Sequence, residues 1–182
     1  MRTFFKRLLR KTVNIFRKTD DPIESARKRG IRIGRNVHIY SQLPLGRDCF
    51  LLSIGDNVTV SANVTFLLHD AAIGTMTDYK YTDYLGRVTI GDQCFIGWGA
   101  IILPGITLPP RTIVAAGSVV TKSPPTSGLI IGGNPAKVIG SVEAYVQKAS
   151  SCGAYNLNAM SQSEIERMIE ENGNTLRERK TL

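Results

Sequence analysis

From position 90 to position 120 an aliphatic residue recurs at every sixth place: Ile90, Ile96, Ile102, Leu108, Val114 and Val120. The residue after it is often small, as in Gly91, Gly97 and Ala115. The fifth place of each unit holds Cys94, Ala100, Ile106, Thr112 and Ser118, again mostly small. The same period runs through Ile54 and Val60, with Val58 and Val64 at the fifth place. It also runs through Ile33, Ile39 and Leu45, with Val37, Leu43 and Cys49 at the fifth place. This first set is out of phase with the rest by half a hexapeptide. The slip predicts a bulge or distorted corner between Leu45 and Ile54, in the stretch DCFLLS.

A period of six belongs neither to an α-helix nor to a single strand. It suits a chain wound around three flat faces, each one hexapeptide long, so that three hexapeptides make one turn. The aliphatic residue of each hexapeptide then points inward, and successive turns stack as parallel strands with like positions in columns. Each buried aliphatic contributes roughly 1.5–3 kcal/mol. An ordinary β-sandwich would produce six consecutive matches only by coincidence. Spacing does not fix the hand of the coil, and right-handed crossovers are the general rule.

The period fails between Phe66 and Ile90. Continuing it would turn Ala72, Asp78 and Tyr84 inward, and an unpaired carboxylate at the centre of a coil costs several kcal/mol. Residues 67–87 therefore read as a loop leaving the coil, and a loop of that length in a compact fold is usually functional. At its base stands His69, one of two histidines in the chain. An imidazole titrates near neutrality and suits a general base for an attacking hydroxyl or amine. Asp70 either orients that imidazole or is a solvated turn residue. His38 follows the fifth-place Val37, where side chains point outward, and reads as a surface residue.

The flanks break the pattern in a different way. Residues 1–18 set Phe4, Phe5, Leu8, Leu9, Val13 and Phe16 at helical spacing and carry seven Lys or Arg with no acid. The net charge of +8 is therefore concentrated there, leaving the rest of the chain close to neutral, and the body does not read as nucleic-acid binding. Such an arm fits a helix lying on an anionic membrane surface or one packing its apolar stripe against protein. Residues 22–30 read as a short helix ending at Gly30. Beyond the coils, residues 141–150 look helical, and Ser161-Gln162-Ser163-Glu164 is a capping box opening a charged helix to Glu171. Three units follow: a basic helical arm over 1–30, the coil domain over 31–140 with its loop at 67–87, and a helical extension over 141–182. Cys49, Cys94 and Cys152 show no metal spacing, and the odd count without a signal peptide points to reduced thiols in the cytosol. Cys49 and Cys94 fall at inward places and read as core. No apolar run approaches membrane-spanning length.

The runs VTFLLHD, VTIGDQCFIGWGAIILPGI, IVAAGSVVTK and IIGGNPAKVIG together resemble the hexapeptide-repeat acyltransferases, over about Ile31 to Val146. The similarity is greatest to the sugar O-acetyltransferases of bacterial surface polysaccharide pathways and to the galactoside and xenobiotic acetyltransferases. The resemblance implies a mainly β fold, a left-handed parallel β-helix with a protruding loop and terminal helices. It implies transfer of acetyl from acetyl-CoA to a sugar hydroxyl, a homotrimer with active sites between subunits, and His69 as the catalytic base with Asp70 beside it. It assigns the coenzyme groove to Gly97, Trp98 and Gly99, to Ala116, Gly117 and Ser118, and to Thr121, Lys122 and Lys137, whose cations favour phosphates. Trp98 departs from the family, which usually has a small or polar residue there. Pro109 and Pro110 stiffen a corner where the family often repeats Ile-Gly, and Ser123–Gly128 fits a rigid loop before the closing element. The acceptor stays open: N-acetylation of an amino sugar is one alternative, and a non-catalytic β-helical scaffold another. A β-helical zinc enzyme is disfavoured by the shortage of histidines. The setting expected is cytoplasmic, with contact at the inner membrane face if the arm binds lipid.

Overall fold

The computed structural model describes residues 21–151, 157 and 160–172. The basic arm over 1–18 and Cys152 lie outside the described residues.

Helix α1 (Pro22–Lys28) starts where Asp21 accepts the Ile23 N–H at 3.0 Å, with proline in the first turn. It ends before Gly30, whose φ of +93° reverses the chain. It buries Ala26 against the first turn of the coil. The coil follows with β1 (Arg32–Ile33), β2 (His38–Ile39), β3 (Leu52–Ile54), β4 (Thr59–Val60) and β5 (Thr65–Phe66). The excursion contributes β6 (His69–Asp70) and β7 (Tyr84–Leu85). Winding resumes with β8 (Val88–Ile90), β9 (Phe95–Ile96), β10 (Ile101–Ile102), β11 (Thr107–Leu108), β12 (Ile113–Val114) and β13 (Val119–Val120). The chain closes with β14 (Leu129–Gly133), β15 (Ala136–Ser141), α2 (Val142–Ser151) and α3 (Gln162–Asn172).

Three sheets form the faces of a prism. The first is β1-β3-β8-β11, the second is β2-β4-β9-β12-β14 with β15 added antiparallel, and the third is β5-β10-β13. All pairings inside the prism are parallel and in register, so inward residues form columns. One column is Ile33, Ile54, Ile90, Leu108; the second is Ile39, Val60, Ile96, Val114, Ile131; the third is Phe66, Ile102, Val120. Ile96, Ile102, Leu108, Val114 and Val120 are fully buried. The fifth places are buried as well, from Val37 to Ser118, and include Cys49 and Cys94, both free thiols. Burial pushes the Cys94 thiol above its ordinary value. The two polar residues among these places satisfy themselves: the hydroxyls of Thr112 and Ser118 donate to Pro109 O at 2.6 Å and Ala115 O at 2.7 Å.

Corners need a backbone that turns sharply, and the left-handed conformation appears there at Asn36, Asn57, Asn63, Gln93, Arg111, Gly99, Gly105 and Gly117. Gly97 answers a different need. A Cβ on it would lie 2.6 Å from Ala116 N in the next turn, so stacking itself excludes a side chain. Along one edge carboxylates continue the hydrogen-bond ladder: Asp56 accepts the Arg35 N–H and Asp92 accepts the Asp56 N–H, both at 2.8 Å. That Arg35 amide and the guanidinium beside it hold the Asp56 carboxyl below its usual range.

The phase slip is absorbed by a 3-10 turn, Cys49–Leu51, so the first turn of the prism is longer than three hexapeptides: Ile33 pairs with Ile54 and Ile39 with Val60. Leu45 does not fill the inward place the period gives it. It is largely exposed, because among the described residues no strand pairs beneath β5 and the chain bends at this end of the prism. The top is closed by the β14–β15 hairpin, whose turn contains a cis Asn134–Pro135 peptide, and by α2. The capping box is present: the Ser161 N–H donates to Glu164 Oε2 at 2.7 Å, and Glu164 N–H reaches Ser161 Oγ at 3.4 Å.

Candidate active site at the loop base

The excursion leaves after Phe66 and returns at Val88 without disturbing the stack. β3 pairs directly with β8, and β5 with β10. Its two ends are held together by Gly86 N–H donating to Leu68 O at 2.9 Å and by the antiparallel pair β6–β7, in which His69 faces Leu85 and Asp70 faces Tyr84. Gly86 packs so closely on the Pro104–Gly105 corner that a Cβ would lie 2.3 Å from Gly105 N. The base of the loop is therefore a fixed platform, although residues 69–85 are exposed throughout.

His69 projects from this platform with about half of its side chain open to solvent. Its Nδ1 lies 2.6 Å from Asp48 Oδ2. An ionised carboxylate only accepts, so Nδ1 carries the proton and Nε2 keeps its lone pair free. The Asp48 hydrogen bond, reinforced by its charge and by the weaker fields of Asp83 and Asp70, raises the His69 pKa above its ordinary value. Asp70 is not the imidazole's partner. Neighbours on a strand point to opposite sides, and Asp70 Oδ1 accepts the Ala72 N–H at 2.8 Å, closing a local turn. The signal for Asp48 was present in the slip: the offset that pairs Ile33 with Ile54 and Ile39 with Val60 is also the offset from Asp48 to His69.

The residues assigned to the coenzyme do not form one patch on a single chain. Trp98–Gly99 and Ala116–Gly117 stack at the edge between the second and third faces, where the Gly117 N–H donates to Trp98 O at 2.8 Å. The indole of Trp98 is exposed. Gly97 is buried with its N–H on Val114 O. The Ser118 side chain is buried and accepts the Gly133 N–H, so only its backbone neighbours face outward. Thr121 and Lys122 lie at the opposite edge of the third face, exposed, above Leu103 and Leu67 in the turns below. That is the edge from which the loop departs. His69 thus sits two turns below Lys122, about 10 Å along the axis at ~4.8 Å per strand. Lys137 is exposed on β15, across from Gly132. Among the described residues, no three of His, Cys, Asp and Glu gather as a metal site requires.

Residues 87–122 match the model of the hexapeptide repeat of succinyl-transferase. The chain is 38% identical to protein CapG of Staphylococcus aureus over 81% of this chain and 83% of that one. The chain belongs to the hexapeptide-repeat acetyltransferases. It is also 31% identical to the galactoside O-acetyltransferase of Escherichia coli K12, over 66% of this chain and 58% of that protein. Among solved structures it is similar to a hexapeptide-repeat acetyltransferase of Vibrio cholerae in complex with acetyl-coenzyme A, with TM-score 0.55, 27% identity, and coverage of 62% of this chain and 61% of that one. Membership of this family makes the prism a left-handed parallel β-helix. The chain spans about three fifths of the length of the galactoside enzyme and of the Vibrio structure.

Proposed function

We propose that this acetyltransferase moves the acetyl group of acetyl-CoA to a hydroxyl of a saccharide, with His69 as general base. The observation that carries the reading is the Asp48–His69 pair on the fixed platform at the loop base. The hydroxyl oxygen attacks the thioester carbonyl while His69 Nε2 takes the hydroxyl proton. Collapse of the tetrahedral intermediate breaks the C–S bond, and the proton passes to the departing thiolate, leaving an acetyl ester and free CoA. Asp48 holds the reactive tautomer and steadies the imidazolium formed on the way. It is a positioning residue, acting through His69. A hydroxyl acceptor rather than an amine follows the O-acetyltransferases among the relatives.

The coenzyme is assigned to the two edges that flank the third face: Gly97, Trp98, Gly99, Ala116, Gly117 and the backbone at Ser118 on one, Thr121 and Lys122 on the other, with Lys137 on the closing hairpin. One linear molecule meets both edges most simply when they belong to neighbouring copies, which supports a homotrimer with its sites between subunits. No helix among the described residues is long and apolar enough to cross a membrane. Lipid contact through residues 1–18 stays a property to measure on liposomes.

The test is acetyl-CoA consumption and ester formation with candidate sugars, comparing the wild-type chain with His69→Ala. The variant loses a factor of about 10²–10⁴ in kcat while staying folded with the same oligomer mass. Full activity in the variant would remove the base assignment.

A further inference from the structure

The cleft beside His69 holds a charge that the transfer step leaves unused. It measures about 550 Å³, and its walls include Arg47, Phe50, Asp83 and Leu85 around the Asp48–His69 pair. Asp48 is engaged by the imidazole, and Asp83 accepts the Thr82 hydroxyl at 2.6 Å. The Arg47 side chain is exposed and makes no hydrogen bond or ion pair with any described residue. It is the one permanent cation among the lining residues, on a corner already fixed by Asp48 next in sequence. A guanidinium offers a planar fork of donors that matches a carboxylate or phosphate in two hydrogen bonds. The phosphates of the coenzyme are poorly placed to be its partner. With the thioester at His69, the whole pantetheine arm separates them from this cleft, and Thr121 and Lys122 are set two turns away. The anion therefore has to come with the acceptor. Phe50 and Leu85 present exposed apolar surface of the kind on which the C–H face of a sugar ring packs, and Asp83 is an acceptor for ring hydroxyls.

We propose that Arg47 is a specificity-determining residue that selects a saccharide bearing an anionic group, either a ring carboxylate or a phosphate ester, and sets a neighbouring hydroxyl before His69. The inference rests on the acetyl transfer proposed above and adds the class of acceptor. It is tested with the full chain, acetyl-CoA and matched acceptors: galactose against galacturonate, glucose against glucuronate, and glucose against glucose 6-phosphate. CoA release is followed together with ester formation by mass spectrometry. We expect kcat/KM at least tenfold higher for the charged member of a pair. Whether the carboxylate or the phosphate pair responds tells the two sources apart. Arg47→Ala should erase the preference, raising KM for the charged sugar tenfold or more while changing the neutral one less than twofold. Arg47→Lys should restore part of it, and added salt should weaken it. Equal turnover of neutral and charged sugars, or equal loss on both with Arg47→Ala, overturns the inference and leaves the acetyl transfer standing. Failure to acetylate any sugar sinks the parent reading and this one together.

Discussion

The stack and the excursion solve opposite problems with the same chain. In the stack each inward residue of an interior turn is covered by its equivalents one turn above and below, and each strand's amides bond to the next turn. In the excursion the side chains from Ala71 to Leu85 are exposed, and among the described residues the backbone is held only by a two-residue antiparallel pair and short local turns. The first region derives its stability from repetition and needs no unique residue. The second carries unique residues and borrows its rigidity from the platform beneath. Stability and chemistry are therefore separable in this molecule to a degree that a single packed core rarely permits.

The largest test of that separation is to remove the excursion. The interval from Phe66 to Ile90 is four hexapeptides where one would do, and the two are consecutive inward places, Phe66 closing one turn of the prism and Ile90 opening the next. Deleting residues 69–86 restores the six-residue spacing and puts Arg87 at a corner of the type that Arg111 already occupies. The expected outcome is complete loss of acetyl transfer with a melting temperature within a few degrees of wild type, read by circular dichroism and differential scanning calorimetry. A chain that no longer folds would show that the loop supports the stack.

The converse change attacks the stack and spares the loop. Ile96→Ala opens a cavity in a fully buried column flanked by Val60 and Val114. It should cost about 2–5 kcal/mol, a large share of the ~5–15 kcal/mol that holds a typical domain folded. Denaturant titration gives the value, and activity per folded molecule should stay near wild type.

Much of this architecture was written in the sequence because a repeat states its own contacts. The six-residue period identified the columns, the slip at DCFLLS placed the 3-10 turn, and the failed places 72, 78 and 84 marked the excursion. The imidazole's partner was harder to see. Adjacency drew attention to Asp70, yet an extended strand sends neighbours to opposite sides. Asp48 comes beneath His69 only through the lengthened first turn, so the defect in the repeat decides the pairing. Leu45 escaped for a related reason: periodicity gives a direction for the side chain, but burial also needs a turn beneath, and the described residues supply none there. Ser118 shows the same limit at a coenzyme-assigned position, since its inward place hides the hydroxyl.

A subtler break concerns the contact between the two regions, since Asp48 belongs to the stack and His69 to the loop. Asp48→Asn keeps the shape but removes the charge. We expect kcat to fall about ten- to a hundredfold, less than the full contribution of a general base. The base acts when neutral, so the rise of activity with pH has its midpoint above 6.5 in the wild type and moves down toward 6.5 in the variant. Stability follows the raised folded pKa of His69: the pair stabilises fully below about pH 6.5 and the gain is lost as pH rises through the folded value. Melting temperatures of wild type and variant should therefore converge at alkaline pH.

The smallest effect expected is the most discriminating for the site. Asp70→Asn preserves the oxygen that accepts the Ala72 N–H, so stability should change by less than about 0.5 kcal/mol and kcat by less than twofold. Its charge is the weakest of the three carboxylate influences on His69, so the activity midpoint should fall by less than in Asp48→Asn. Asp70→Ala removes the turn bond as well and should loosen only the local segment, visible as faster amide exchange around Ala72 with the global melting temperature unchanged. If Asp70→Asn instead slowed turnover as much as Asp48→Asn, the strand carrying His69 would have to turn over when substrates bind. The excursion would then be a moving part, and its rigidity would no longer come from the platform.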